Sequence, residues 1–221
     1  MTVLYEDNHI IIVAKAAGEI VQGDKTGDIP LSDTVKSYIK EKYHKPGDVF
    51  LGVVHRLDRP VSGVVVFART SKALTRLNEM FRTGCVQKTY WAVVQNMPSQ
   101  PEATLTHYLQ RREQNNKSYA YNVERPDSKR AVLDYKVIAH SDRYHLLEVH
   151  LHTGRHHQIR CQLAAIGCPI RGDLKYGSPR SNPDGSICLH ARSVSFEHPV
   201  SHLPIHVVAP APTTGAWKGF H

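Results

Sequence analysis

No stretch of this sequence is apolar for long enough to cross a bilayer. Its first residues, M-T-V-L-Y-E-D-N-H-I-I-I-V, lack the basic region and apolar run of a secretory signal, so a cytoplasmic location is expected. Cysteine is scarce. Cys85, Cys161, Cys168 and Cys188 show no C-x-x-C spacing, which argues against a zinc ribbon or a disulfide framework and for reduced, mostly core thiols. Acids are in deficit: 20 Asp and Glu face 28 Lys and Arg, giving +8 at pH 7 and a pI near 9.4. Such a balance suits a polyanionic partner, of which nucleic acid is the commonest. Internal repeats and low-complexity tracts are also lacking. What is present is an ordinary globular composition, 41% hydrophobic and 22% charged over 221 residues, enough for one substantial core.

Fifteen histidines invite a metal site, and His152, His156, His157 and Cys161 cluster in the chain. No H-E-x-x-H spacing accompanies them, and the neighbouring arginines would repel a divalent cation, so no metal is expected.

The stretch His55 to Thr70, H-R-L-D-R-P-V-S-G-V-V-V-F-A-R-T, sets a lone carboxylate between permanent cations. Asp58 stands between Arg56 and Arg59, Pro60 and Gly63 mark a turn, and Val64 to Ala68 reads as a strand buried on both faces. A nearby cation favours the charged form of an acid, so Asp58 is expected to be ionised, fit for a nucleophile or base and unfit for a general acid. A surface ion pair would give the same pattern, and this stretch alone does not choose between the two.

The rest of the chain supplies the frame. Val3 to Tyr5 and His9 to Ala14 read as strands. Ser32 or Asp33 is placed to cap a helix to about Tyr43, and Phe50 to Val54 leads the chain into the central stretch. Thr70 or Ser71 can cap a second helix to about Arg82, with Gly84 ending it. The strand Q-K-T-Y-W-A-V-V puts Lys88, Tyr90 and Ala92 on one face. Ala103 to Tyr108 leads into a polar excursion, 109 to 130, in which Arg111, Arg112, Lys117, Arg125, Lys129 and Arg130 interleave with Tyr119 and Tyr121. Cations among aromatics suit single-stranded or looped RNA, and a solvated hairpin would read the same way. Ala131 to Ala139 and Tyr144 to Leu151 form an antiparallel pair. In H-T-G-R-H-H-Q-I-R-C-Q-L-A-A-I-G, Thr153 reads as the N-cap of a helix of some three and a half turns. Gly154 and Arg155 would then lie at its N-terminus, where free amides can hold a phosphate. Pro199 to Pro212 should run extended at a sheet edge. Strands outnumber helices and mostly follow one another directly, which predicts an α+β fold on a mixed, largely antiparallel central sheet.

Three ordered signatures, H-R-L-D at 55 to 58, K-T-Y at 88 to 90 and T-G-R-H-H-Q-I-R at 153 to 160, are followed by G-D-L-K-Y-G and L-H-A-R. Together they closely resemble the RluA-type family of RNA pseudouridine synthases. The resemblance implies isomerisation of uridine to pseudouridine within RNA, in a single catalytic domain, 1–221, with a central RNA cleft. It implies no metal, no organic cofactor, and a start at the catalytic domain without the small N-terminal RNA-binding domain of some members. A monomer is the expected state. By resemblance, Asp58 is the catalytic carboxylate, Tyr90 packs on the target base and takes part in proton removal, and Arg160 pairs with Asp58. Arg56 would help displace the target nucleotide, and His55, Lys88, Arg155, His157, Gln158 and Leu189 complete the RNA-binding set. Val61, His156 and Cys168 depart from the residues usual in the family, which bears on substrate rather than reaction.

The chemistry needs no redox change and no added water. An ionised Asp58 could attack carbon 6 of uracil, attack the anomeric carbon, or take the ribose 2′ proton, and the sequence does not choose. Two rivals stand beside this reading: a uracil-releasing glycosidase pairing Asp58 with a second carboxylate such as Asp173, and a catalytically silent RNA-binding module.

Overall fold

The computed structural model describes residues 1–220. In chain order, β1 (Thr2–Glu6) and β2 (Ile10–Lys15) precede α1 (Leu31–Lys42), and β3 (Gly52–Val53) and β4 (Ser62–Ala68) precede α2 (Ser71–Thr83). Then come β5 (Gln87–Val94), β6 (Glu102–Arg112), β7 (Lys117–Tyr121), β8 (Lys129–His140) and β9 (His145–Leu151). The chain continues with α3 (Gln158–Ala165), β10 (Leu189–Glu197) and β11 (Pro204–Val208). The fold is α+β with largely antiparallel strand pairing. Two compact units divide the chain: Met1–Gln87 with Ala191–Pro210, and Lys88–His190 with the residues from Ala211 on.

In the first unit β4 is the central strand, pairing antiparallel with both β2 and β3. Its residues Val64 to Ala68 are no more than 2% exposed, the burial on both faces that their unbroken β-branched run predicts. β1 extends the sheet beyond β2, and β11 pairs antiparallel with β10, as the extended reading of the Pro-rich tail required. Gly63 shows why that position carries no side chain. Its φ is +121°, and a Cβ there would stand 2.3 Å from the carbonyl oxygen of Ala191.

The two helices of this unit start differently. Thr70 Oγ1 accepts from Ala73 N, and Gly84 closes α2 in the left-handed region, both as read from the sequence. Leu77 is fully buried beneath the helix, worth about 2 kcal/mol. By contrast α1 begins at Leu31, after Pro30, with no side-chain cap. Ser32 is buried inside the first turn, because the backbone carbonyls of Ile20 and Val21 accept from Leu31 N and Ser32 N. A neighbouring loop thus satisfies the donors for which the sequence offers Ser32 or Asp33.

In the second unit the strand order is β5-β9-β8-β6-β7, antiparallel throughout. The excursion expected at 109–130 is shorter than it looks in sequence. β6 continues to Arg112 and returns as β7, with Arg112 opposite Lys117 across a turn that ends at left-handed Asn116. α3 packs on β6 and β7, and buried Leu109, Ala131, Cys161 and Tyr176 form a small core beneath it.

Lys15, the last residue of β2, is only 2% exposed. Its ammonium donates toward the carbonyls of Val61 (2.6 Å), Ala16 (3.0 Å), Arg59 (3.1 Å) and Asp58 (3.3 Å), so the loop that carries the H-R-L-D signature is wrapped round one buried cation. Burial lowers the Lys15 pKa to about 8. An unfolded lysine keeps its proton to about 10.4. Between these values the unfolded chain binds more protons, so this group makes stability rise with pH from about 8 to about 10.4. We predict that Lys15→Met leaves these carbonyls without a donor and costs about 1–3 kcal/mol in denaturant melts at pH 7. The variant should also lose the pH-dependent rise. Wild-type stability and an unchanged pH profile in the variant would show that the loop does not depend on this ammonium.

Candidate active site

In the first unit the H-R-L-D loop is held by apolar anchors, Leu57 and Val61, both buried. His55 accepts a hydrogen bond at Nε2 from Val66 N (2.9 Å) and stacks on Phe81 with ring centroids 4.7 Å apart. The imidazole therefore fixes the loop to β4 and α2. Arg56 is exposed and Asp58 half-buried. Val61 N donates to Asp58 O (3.0 Å), closing the turn that the Pro60 position announces.

Arg59, one of the two cations that flank Asp58 in the chain, finds acids elsewhere. Its guanidinium donates to Asp28 Oδ2 (2.6 Å) and Thr26 Oγ1 (2.8 Å) and approaches Asp24 (3.4 Å). It holds the Asp28 carboxyl below the usual carboxylate range.

In the second unit Tyr90 and Lys88 share a face of β5, as period-two geometry requires. Tyr90 is 8% exposed. Burial pushes the Lys88 ammonium down, and its Nζ comes within 3.9 Å of the Cβ position of Gly154. Lys88 thus belongs to the same neighbourhood as the T-G-R-H-H turn. Leu189, at the start of β10, is 4% exposed.

That turn corrects the helix expected from Thr153. α3 begins at Gln158, with His157 as N-cap at φ 52°, and runs eight residues. Gln158 is the reason. Buried, it takes Thr153 Oγ1 (2.8 Å) and Arg155 N (3.0 Å) on its Oε1 and donates to Val132 O (3.0 Å), folding 153–157 into a loop. The Arg155 amide expected to meet a phosphate therefore has a side-chain acceptor of its own. Arg155 is exposed, with Nε on Arg130 O (3.1 Å).

Arg160 is 6% exposed and forms a side-on pair with Asp173, itself 1% exposed: Nε donates to Oδ2 at 2.7 Å and Nη2 to Oδ1 at 2.9 Å. A bidentate pair out of water is the strong form of this contact. It bears on the two-carboxylate rival, because both oxygens of buried Asp173 accept from the guanidinium and neither is presented to a substrate. Each member of the histidine cluster has a protein partner, and the His156 and His157 rings stack with centroids 3.8 Å apart. His152 Nε2 meets Asp134 (2.6 Å), His156 Nδ1 meets Ser118 Oγ (2.9 Å), His157 Nδ1 meets Tyr176 Oη (2.9 Å), and Cys161 Sγ reaches Ser118 O (3.2 Å).

Three contributors carried no sequence signal of the contacts they make. Lys15 is a lone lysine at the end of an apolar strand, with no local signal of the carbonyls it meets. Tyr176 and Asp173 were visible as part of G-D-L-K-Y-G, but their attachment to Arg160 was not.

A family model described as RNA pseudouridylate synthase matches residues 9–165. An uncharacterized RNA pseudouridine synthase of Zymomonas mobilis is 32% identical over 219 residues, covering 99% of this chain and 97% of its own. A ribosomal large subunit pseudouridine synthase D of Xanthomonas campestris is 33% identical over 228 residues, and there the match takes in 96% of this chain but 66% of the relative. In fold, the human RNA pseudouridylate synthase domain containing 4 superposes with a TM-score of 0.79 at 24% identity, over 96% of this chain and 88% of that one. With most of its length matched by the family model and nearly all of it by relatives of that name, the chain belongs to the RNA pseudouridylate synthase family.

Proposed function

We propose that this chain converts specific uridines of structured RNA, in tRNA or rRNA stem-loops, to pseudouridine, with Asp58 as the catalytic carboxylate, Arg160 as its counter-ion and Tyr90 against the target base. The observation that carries the reading is that the family match, 9–165, contains all three residues, each on a signature of its own. Relatives named for the ribosomal large subunit and for tRNA support both classes of target. A cytoplasmic monomer acting without metal or organic cofactor completes the proposal.

The reaction breaks the bond from ribose C1′ to uracil N1 and forms one from C1′ to C5. The proton on C5 goes to solvent and N1 gains one, so atoms and electrons balance. The base must first leave its stack, which costs a few kcal/mol and favours loops. Exposed Arg56 is suited to fill the vacated place. Asp58 begins the chemistry by addition to the base, addition to the sugar, or removal of the 2′ proton. A tyrosine of ordinary pKa about 10 needs a cation beside it to act as a base near neutrality, and Arg160 or Lys88 would supply one. In Arg160 the edge away from Asp173 is the one assigned to Asp58. Phosphate contacts from Lys88, Arg155 and His157 would contribute affinity.

Three outcomes are expected. Asp58→Asn should bind RNA as the wild type does and lose turnover by about 10³-fold or more, read as tritium released from C5 of labelled uridine in single-turnover assays. Unchanged modification by this variant would favour a silent binding module or another nucleophile. Tyr90→Phe and Arg160→Met should both bind and stall, and near-wild-type rates for the two would refute their assignments. RNA affinity should fall with added salt, by about 0.7 in log K per log unit for each phosphate neutralised. Affinity indifferent to salt would contradict phosphate-led binding.

A further inference from the structure

The loop Gly172 to Gly177 sends three side chains to three places. Asp173 holds Arg160. Exposed Lys175 donates to the carbonyls of Asn115 (3.2 Å) and Asn116 (3.1 Å), at the tip of the β6–β7 hairpin. Buried Tyr176 accepts from Ser118 N on β7 (2.8 Å), while its ring lies 5.1 Å from the guanidinium carbon of Arg160. The Tyr176 hydroxyl also meets His157 Nδ1, at the start of α3. Gly172 and Gly177, at φ 91° and 99°, let six residues turn tightly enough to make all these contacts.

The hairpin so held leads a cation-rich segment of the chain, with six cations against three acids over 111–130. Its charges already sit on its rings: Arg112 lies 4.6 Å from the Tyr119 centroid, and Arg125 lies 4.2 Å from that of Tyr121. Arg112 and Arg125 are exposed. A two-stranded ribbon carrying planar cations over half-buried tyrosines offers phosphate contacts and stacking surfaces together.

We propose that this hairpin docks the phosphate backbone of the substrate RNA, and that Tyr176 is a positioning residue that couples the docking to the placement of Arg160. The proposal rests on the pseudouridine synthase reading and deepens it. Ser118 is 2% exposed, so its amide cannot exchange the Tyr176 hydroxyl for water. A hairpin that shifts against RNA carries that hydroxyl with it. The ring beneath Arg160 and the carboxylate that grips it belong to the same six-residue loop and follow. Bound RNA thereby stiffens the guanidinium's seat, and the effect should appear in turnover as well as in affinity.

The test is a double-mutant cycle on kcat and KM, using a pool of unmodified tRNA and rRNA transcripts tritiated at uridine C5. Arg112→Ala in the wild-type background should raise KM and lower kcat, each by about tenfold. Tyr176→Phe keeps the ring and should lower kcat by about tenfold. Arg112→Ala added to Tyr176→Phe should still raise KM but lower kcat no further, because the link is already cut. Lys175→Ala, an exposed substitution at the other attachment, should show the same non-additivity and guards against a Tyr176→Phe variant that folds poorly. Additive losses of kcat in both cycles, or an Arg112→Ala effect on KM alone in the wild type, would overturn the coupling. A wild-type protein that releases no tritium would refute the underlying reading, and the coupling with it.

Discussion

A cation taken out of water must find acceptors, and each unit of this protein is arranged round one such cation. In the first unit it is the Lys15 ammonium, 2% exposed, beneath the turn that bears Asp58. In the second it is the Arg160 guanidinium, clasped side-on by Asp173. Neither could be left unpaired without a cost of several kcal/mol. The acceptors that satisfy them are backbone carbonyls of Ala16 and of the Asp58 turn in the first case and the Asp173 carboxylate in the second. The packing requirement and the placement of the signature residues are therefore the same requirement.

The two solutions differ in stiffness. Carbonyl oxygens gathered on an ammonium define a point but not a plane, because the ammonium is a compact charge with rotatable donors. A bidentate guanidinium pair fixes a plane and a direction as well. The apolar anchors Leu57, Val61 and the stacked His55 and Phe81 supply for the Asp58 turn the orientation that Lys15 cannot.

Much of this was legible in the sequence because it is local. The Val64 to Ala68 run, the Thr70 and Gly84 caps and the hairpin of β8 and β9 depend on neighbours within a few residues, and each stands where patterning put it. The failures lie where a side chain or loop outside the local pattern supplies the partner. The α1 start was misplaced because its first amides bond to a loop eleven residues earlier. The α3 start was misplaced because one glutamine side chain turns back to make a loop of what reads as a first turn. Arg59, read only as one of the cations flanking Asp58, finds acids some thirty residues upstream. Family signatures located the candidate reactive residues. The residues that hold them, Lys15 and Asp173, are recognised only by the contacts they make.

The account stands on isomerisation at Asp58 rather than hydrolysis. Its most direct test is nucleoside analysis by liquid chromatography and mass spectrometry of unmodified tRNA and rRNA transcripts incubated with the purified protein. The account predicts a fraction of uridine replaced by a nucleoside of identical mass and the retention of pseudouridine, with no uracil set free. Free uracil and abasic sites, or uridine left untouched, would contradict it.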